Sequence, residues 1–137
     1  MSATISLNLA PKIDELKRLY EAVESLGEQE EWPPGLIFQV NLALEELGIN
    51  IMNYGETAEE ILVILASDED TITINISDAG KPFNPLTEGP EPDITQELDE
   101  RPIGGLGVYL VRTLMDELHY RREEDRNHLT LVKHRDE

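Results

Sequence analysis

A strictly alternating segment near the middle of the chain constrains the fold more than any other feature. From Thr71 to Asp78, three isoleucines share one parity, and threonine, asparagine and serine share the other. Because successive side chains of a β-strand point to opposite faces, this pattern predicts a strand with one buried and one water-facing side. The unbroken apolar run Ile61–Ala66 precedes it across an acidic turn at 68–70, which predicts a hairpin within a sheet.

The rest of the chain predicts helices and strands around this hairpin. A first helix is predicted from Pro11 to about Gly27, because apolar residues recur at helical spacing from Ile13 to Val23. The other predicted elements are a strand at 4–9, a second helix from 33–34 to 54–55, a third helix after residue 107, and final strands near 118–123 and 128–134 joined by a turn at 125–127. This order predicts an α+β fold, a two-layer sandwich with the helices on one face of a mixed, mostly antiparallel sheet.

Length and charge limit the functions that such a fold could have. The 137 residues fit one domain, 1–137, and a formal charge of −18 argues against nucleic acid as a partner. The absence of cysteine excludes a disulfide framework, a thiolate metal site and a cysteine nucleophile. No apolar stretch approaches the roughly 20 residues of a membrane span, and no signal peptide is visible, so we expect a cytoplasmic protein without membrane contact.

The second predicted helix carries two stripes of side chains at helical spacing. The core stripe consists of Leu36, Val40, Leu44, Leu47 and Ile51, and the stripe beside it consists of Gln39, Ala43, Glu46, Asn50 and Asn53. At about 100° per residue, Glu46 and Asn50 lie about 40° apart and one turn along the helix. Glu45 points about 140° away from Asn50, so Glu46 is the carboxylate that can share a site with it.

A carboxylate and a carboxamide one turn apart suit a site for a metal-bound nucleotide. The amide oxygen of Asn50 is a neutral, hard ligand for Mg²⁺, and the carboxylate of Glu46 can accept the proton of an attacking hydroxyl. Taken alone, the pair also fits a surface glutamate beside an asparagine.

Asp78 ends the alternating strand with the parity of the isoleucines, so we expect it to point toward the helices. A carboxylate buried there needs a hydrogen-bond donor. The exocyclic amino group of adenine is such a donor, whereas guanine presents a carbonyl at that position and would be repelled. Gly80 allows a flat ring to approach the backbone closely, and Phe83 could close one side of the pocket. The alternative is that Asp78 only forms the local turn.

A glycine loop precedes the third predicted helix. Gly104, Gly105, Leu106 and Gly107 let backbone amides converge where a helix N-terminus favours phosphate. The segment 84–103 before it is rich in proline and acidic residues, and we expect a mobile lid over a nucleotide. Lys81 and Arg101 are the cations at its two ends. Flexible glycine at a helix entry is the alternative.

The order of these motifs resembles the Bergerat (GHKL) ATP-binding fold shared by gyrase, Hsp90, histidine kinases and MutL. Within that superfamily, three stretches are similar to the anti-sigma-factor serine/threonine kinases. They are LEELGINIMNYG at 44–55, DAGKPFNP at 78–85 and GGLGVYLVRTLMDELHY at 104–120. The resemblance covers about residues 36–134, and its last stretch is the most specific.

The resemblance implies a role for each matching residue. Asn50 would hold Mg²⁺, Glu46 would be the catalytic base, and Asp78 would bind the adenine amino group. The remaining nucleotide contacts that we assign are Asn53, Gly80, Phe83, Arg101, Gly104, Gly105, Leu106, Gly107 and Thr130. Of these, Gly105 and Gly107 would contact phosphates, and Thr130 on the last strand would lie near Asp78 at the base pocket.

The resemblance also implies an activity. Such kinases use Mg²⁺ and ATP to phosphorylate a serine of a small anti-anti-sigma (STAS-type) antagonist, and they are commonly homodimers. A sigma factor or another regulator is a further candidate partner. Two alternatives stay open: a non-catalytic module in which ATP gates partner binding, and a histidine-kinase catalytic domain. The second needs an acceptor histidine on a dimerising helix, whereas His119, His128 and His134 lie in the C-terminal strand region.

Overall fold

The computed structural model describes residues 2–54, 59–82, 84 and 111–135. Within them, the strands and long helices are β1 (Ala3–Leu9), α1 (Leu16–Gln29), α2 (Pro34–Tyr54), β2 (Ile61–Ser67), β3 (Thr71–Asp78), β4 (Glu117–Glu123) and β5 (Arg126–His134). A short 3₁₀ helix, Ile13–Glu15, precedes α1, and residues 111–114 are helical. No helix in this described part is long and apolar enough to cross a membrane.

The five strands form one sheet in the order β1-β2-β3-β5-β4. All four strand pairs are antiparallel, so the sheet is antiparallel throughout its described strands rather than mixed. The predicted β2–β3 hairpin and the α+β class are confirmed. At one end of the sheet, Asp78 of β3 pairs with Asn127 of β5.

The core lies between one face of the sheet and the helices. On β3, Ile72, Ile74 and Ile76 are at most 4% exposed, whereas Asn75 of the opposite parity is exposed. This is the burial that the alternating sequence predicts. The predicted core stripe of α2 is also confirmed, since all of its members are buried: Leu36, Val40, Leu44, Leu47 and Ile51.

The first helix differs from its prediction at both ends. Ile13 continues the apolar helical spacing that predicts this helix, but it lies in the 3₁₀ turn before α1 and is 54% exposed. At the other end, α1 continues to Gln29 instead of stopping at Gly27. Gly27 is buried, and a Cβ built on it would lie 2.7 Å from Cγ1 of Ile37. The glycine therefore permits close packing of α2 on α1 and does not end the helix.

A tight turn joins β4 to β5 one residue earlier than predicted. Glu123 pairs with Arg126, so only Glu124 and Asp125 form the loop. Their φ angles are 54° and 60°, the left-handed conformation that two-residue hairpin turns require. The turn fixes the register of β5 against β4. In the separate β3–β5 ladder, Asn127 lies opposite Asp78.

Candidate active site

Asp78 is the last residue of β3. It is only 3% exposed, as its parity predicts. Its Oδ1 accepts hydrogen bonds from the amide of Gly80 at 2.9 Å and from Nδ2 of Asn127 at 3.0 Å. None of the described residues donates to Oδ2. The carboxylate is therefore held by one oxygen, and the second is available to a donor that the described residues do not supply.

Asn127 is a residue of this site that the sequence reasoning missed. It is 4% exposed, and its Nδ2 donates both to Asp78 and to the carbonyl of Lys81, the latter at 2.9 Å. Its Oδ1 accepts a short hydrogen bond from the hydroxyl of Tyr120 on β4. A signal was present in the sequence, because Asn127 shares the parity of Leu129 and Leu131, both buried.

The turn that follows Asp78 is attached to the β4–β5 hairpin. Arg122 donates from Nη1 to the carbonyl of Gly80 at 2.8 Å. Arg126 donates to the hydroxyl of Ser77 at 2.8 Å and to its carbonyl at 3.2 Å. Together with Asn127, these side chains hold the end of β3 and its turn from the neighbouring strands, so the position of Gly80 depends on the hairpin.

The position predicted for Thr130 is wrong. Thr130 pairs with Asn75 across the β3–β5 ladder and donates to Oδ1 of Asn75 at 2.8 Å. It has the opposite parity to Asn127 and therefore lies on the sheet face away from the helices, three residue pairs from Asp78. Asn127 takes the place beside Asp78 that was predicted for Thr130.

Asn50 is buried on α2, and its amide nitrogen is unsatisfied within the part of the chain that the structure describes. Its side chain is 1% exposed, and its Nδ2 has no hydrogen-bond partner among the described residues. Such a group costs about 1–3 kcal/mol when left unpaired. Rotation about χ2 exchanges the amide nitrogen and oxygen, so the same side chain can present its oxygen to a cation. This carboxamide therefore fits the predicted magnesium ligand, a role that stays a prediction.

Glu46 lies one turn before Asn50 and is partly buried. Burial is the main cause that raises the pKa of its carboxyl group, and the charge of Glu45 adds to the shift. Glu45 itself accepts a hydrogen bond from Tyr20 of α1, and burial together with this contact raises the pKa of Tyr20 to about 12. Glu45 is thus engaged with α1, whereas the carboxylate of Glu46 is left to the site beside Asn50. Asn53, one turn after Asn50, is exposed.

The remaining predicted site residues fall outside the described residues. They are Phe83, Arg101, Gly104, Gly105, Leu106 and Gly107, together with the predicted lid from residue 85 onward. The described site therefore consists of the Asp78 cluster, which joins β3 to the β4–β5 hairpin, and of the Glu46–Asn50 face of α2.

The sequence matches a family model and the sequences of two named kinases. Residues 9–133 match the histidine kinase-like ATPase domain. The serine/threonine-protein kinase BtrW of Bordetella bronchiseptica is 30% identical over 115 residues, which cover 82% of this chain and 80% of BtrW. The serine-protein kinase RsbW of Bacillus mycoides is 34% identical over 91 residues, which cover 62% of this chain and 56% of RsbW. The match to RsbW thus spans little more than half of that protein.

Comparison with solved structures gives the same fold. The RsbU and RsbW domains of a Mycobacterium tuberculosis protein match with a TM-score of 0.69 and 12% identity, over 96% of this chain and 32% of that longer chain. The SiaB–SiaC complex of Pseudomonas aeruginosa matches with a TM-score of 0.61 and 15% identity, over 95% of this chain and 89% of the matched chain.

Proposed function

This chain belongs to the anti-sigma-factor serine/threonine kinase family of histidine kinase-like ATPases, and from that membership we propose that it is an ATP-dependent protein-serine kinase. The proposed reaction transfers the γ-phosphate of ATP to a serine of a STAS-type antagonist in a partner-switching system. The observation that carries the proposal is the buried carboxylate of Asp78, fixed through Oδ1 by Gly80 and Asn127.

Asp78 has the chemistry needed to bind adenine. A buried carboxylate whose second oxygen has no donor among the described residues gains a charge-assisted hydrogen bond when an amino group approaches it. The adenine amino group is such a donor, whereas the O6 of guanine would face a negative charge. Hydrogen bonds to charged groups contribute about 1.5–3 kcal/mol, which corresponds to roughly 10- to 150-fold in affinity.

Asn50 and Glu46 have the chemistry needed at the phosphate end of the nucleotide. Asn50 would hold Mg²⁺ through its amide oxygen, turned by rotation about χ2 into the position where the described residues leave Nδ2 without a partner. When bound, Mg²⁺ neutralises charge on the phosphate oxygens. Glu46 would accept the proton from the attacking serine hydroxyl, and its raised pKa makes it a stronger base for that step.

The relatives support the identity of the partner. BtrW and RsbW are named serine kinases, and the SiaB–SiaC structure contains a protein of this fold in complex with another protein. A small antagonist protein with an accessible serine is accordingly the proposed substrate. The proposal includes a homodimer, as the family resemblance implies, and a cytoplasmic location, with a sigma factor or another regulator as a second partner.

The test is phosphorylation of purified STAS-domain proteins from the same organism with γ-labelled ATP. We expect label on a serine with the wild-type chain, and its loss with Asn50→Ala and with Glu46→Gln. Because Glu46→Gln leaves Asp78 and Asn50 intact, this variant should still bind ATP. Glu45→Gln is the matched control, since it removes the same charge one residue away and should keep activity within a few-fold.

The outcome separates the alternatives. Label that persists in Glu46→Gln would contradict the assigned base. ATP binding without label on any of these proteins, combined with ATP-dependent capture of one of them, would favour the non-catalytic module. Absence of ATP binding by the wild-type chain would overturn both.

A further inference from the structure

The hydrogen bonds of Asn127 fix the orientation of its side-chain amide. The carbonyl of Lys81 is only an acceptor, so the atom that faces it at 2.9 Å must be the NH₂ group. Both NH₂ hydrogens are used, because Nδ2 also contacts Oδ1 of Asp78 at 3.0 Å. The amide oxygen therefore faces Tyr120, whose hydroxyl must donate to it. The side-chain amide of Asn127 therefore has one orientation, which is set by Tyr120 of β4 on one side and by the Lys81 carbonyl in the turn after β3 on the other.

This orientation determines what Asp78 can do. With Asn127 in place, Oδ1 of Asp78 has two donors, the amide of Gly80 and Nδ2 of Asn127. Without Asn127, Gly80 would be the sole described donor, and the carboxylate could rotate and present either oxygen. A carboxylate that rotates must be ordered when adenine binds, so it loses the entropic advantage of a fixed acceptor. It can also turn away from the carbonyl of guanine, which a fixed carboxylate would repel.

We propose that Asn127, held by Tyr120 and the Lys81 carbonyl, is a positioning residue that fixes the Asp78 carboxylate for recognition of the adenine amino group and so strengthens discrimination against guanine. The inference rests on the proposed nucleotide-binding function and adds a determinant of base specificity to it. Asn127 does not touch the nucleotide in this account, because its NH₂ hydrogens are already used within the protein.

The test compares affinities for ATP and GTP, each with Mg²⁺, measured by titration calorimetry on the full chain. We expect Asn127→Leu to weaken ATP binding about tenfold or more, the equivalent of one charge-assisted hydrogen bond, and to change GTP binding much less. The ratio of the two affinities therefore falls. Tyr120→Phe should lower the ratio in the same direction and by less, because Asn127 keeps its two other contacts. His128→Ala, on the outer face of the same strand, should leave it unchanged.

A merely structural role makes a different prediction. It would lower the melting temperature of Asn127→Leu while the ATP-to-GTP ratio stayed as in the wild type, and that result would overturn the inference. If Asn127→Leu fails to fold, Tyr120→Phe decides by the same ratio. If the wild-type chain binds neither nucleotide, the proposed function fails. If it prefers ATP and both variants keep that preference, only the role of Asn127 fails.

A pH profile gives a second readout that packing alone would not move. In the wild type, the Asn127 amide lies 3.0 Å from the Asp78 carboxylate. Asn127→Asp puts a second carboxylate at this position, and repulsion between the two carboxylates raises the pKa of one of them. A proton shared at lower pH restores the hydrogen bond, so the affinity of this variant for ATP should rise from pH 8 to pH 6 relative to wild type. The neighbouring cations Arg122 and Arg126, bound to Gly80 and Ser77, are unchanged. A flat difference would contradict the proposal.

Discussion

At the scale of single residues, two side chains of α2 are kept in states that cost stability. Asn50 is buried with an amide nitrogen that has no partner among the described residues, and Glu46 is partly buried with a raised pKa. Groups of this kind cluster at functional sites, where a ligand or reaction compensates for their cost.

Replacement of Glu46 by glutamine should increase stability at neutral pH. Burial and the charge of Glu45 raise the pKa of Glu46 above its ordinary value of 4.5, so the folded state binds this proton more tightly than the unfolded state. The free energy of unfolding then falls as the pH rises through the window from 4.5 to the higher folded value. Urea titrations should show Glu46→Gln more stable than wild type above this window and equal to it below. Glu21→Gln, at an exposed position, is the control. Equal stability of wild type and Glu46→Gln at every pH would contradict the raised pKa of Glu46.

The parity of strand residues shows how far the sequence could predict this site. Alternation placed Asp78 inward correctly, and the same rule places Asn127 inward with Leu129 and Leu131. The family resemblance placed Thr130 near Asp78, although the alternation of β5 points Thr130 to the other face. The structure places Thr130 on that outer face. The hydrogen bonds among Asp78, Asn127 and Tyr120 depend on the register of three strands, which alternation within one strand cannot give.

At the scale of elements, the contact of α1 with α2 depends on a glycine. A Cβ at Gly27 would lie 2.7 and 2.8 Å from two atoms of Ile37 and 3.2 Å from the Trp32 ring. Gly27→Ala should therefore destabilise the chain by about 1–3 kcal/mol through overpacking, despite the better helix propensity of alanine. Gly35→Ala, where nothing lies within 4 Å, is the matched control and should be neutral or stabilising. Thermal melts that rank the two variants the other way would contradict this packing.

The β4–β5 turn contains a glutamate that does not favour its geometry. Glu124 and Asp125 both have left-handed φ angles, which cost roughly 1 kcal/mol or more for a residue such as glutamate, whereas glycine, asparagine and aspartate tolerate them better. The double variant Glu124→Asn, Asp125→Gly should raise the free energy of unfolding by about 1 kcal/mol, since Asn-Gly prefers this turn. Chemical denaturation measures the change. A loss of stability would show that the wild-type side chains make compensating contacts.

Element prediction succeeded where one periodicity was sustained and failed at ends set by tertiary contacts. The bounds of α2 and the β2–β3 hairpin followed from long regular patterns. Ile13 kept the helical spacing, yet the hydrogen bond from the Ala10 amide to Glu15 accompanies a 3₁₀ turn before α1. Gly27 carried a stop signal, but it is needed for packing against Ile37.

At the scale of the whole molecule, Arg135, which follows β5, contacts the connection between α1 and α2. Arg135 donates to the carbonyls of Glu30, at 2.7 Å, and of Asp68, and it forms a largely buried ion pair with the Glu30 carboxylate at 3.6 Å. Trp32 donates from Nε1 to Ser67 at 3.1 Å. These contacts join the helical layer to the sheet at the end opposite Asp78.

The net charge of −18 should make stability depend on salt. Like charges repel within the folded chain, and the Debye length falls from roughly 10 Å at 0.1 M salt to 3 Å at 1 M. The melting temperature should therefore rise by a few degrees between about 0.05 and 0.5 M NaCl. A neutral osmolyte at equal osmolality controls for solvent effects. A melting temperature that is constant or falls with salt would contradict the expected self-repulsion.

If Asp78 anchors an adenine nucleotide, the affinity of the full chain for Mg-ATP, measured by titration calorimetry, must depend on its carboxylate. Asp78→Asn preserves size and an acceptor for Gly80 and Asn127 but presents an NH₂ group to the base. We expect saturable binding by wild type and by exposed Asp14→Asn, which has the same charge change, and affinity at least about tenfold weaker for Asp78→Asn. Equal affinity in all three chains, or no binding by the wild type, would contradict it.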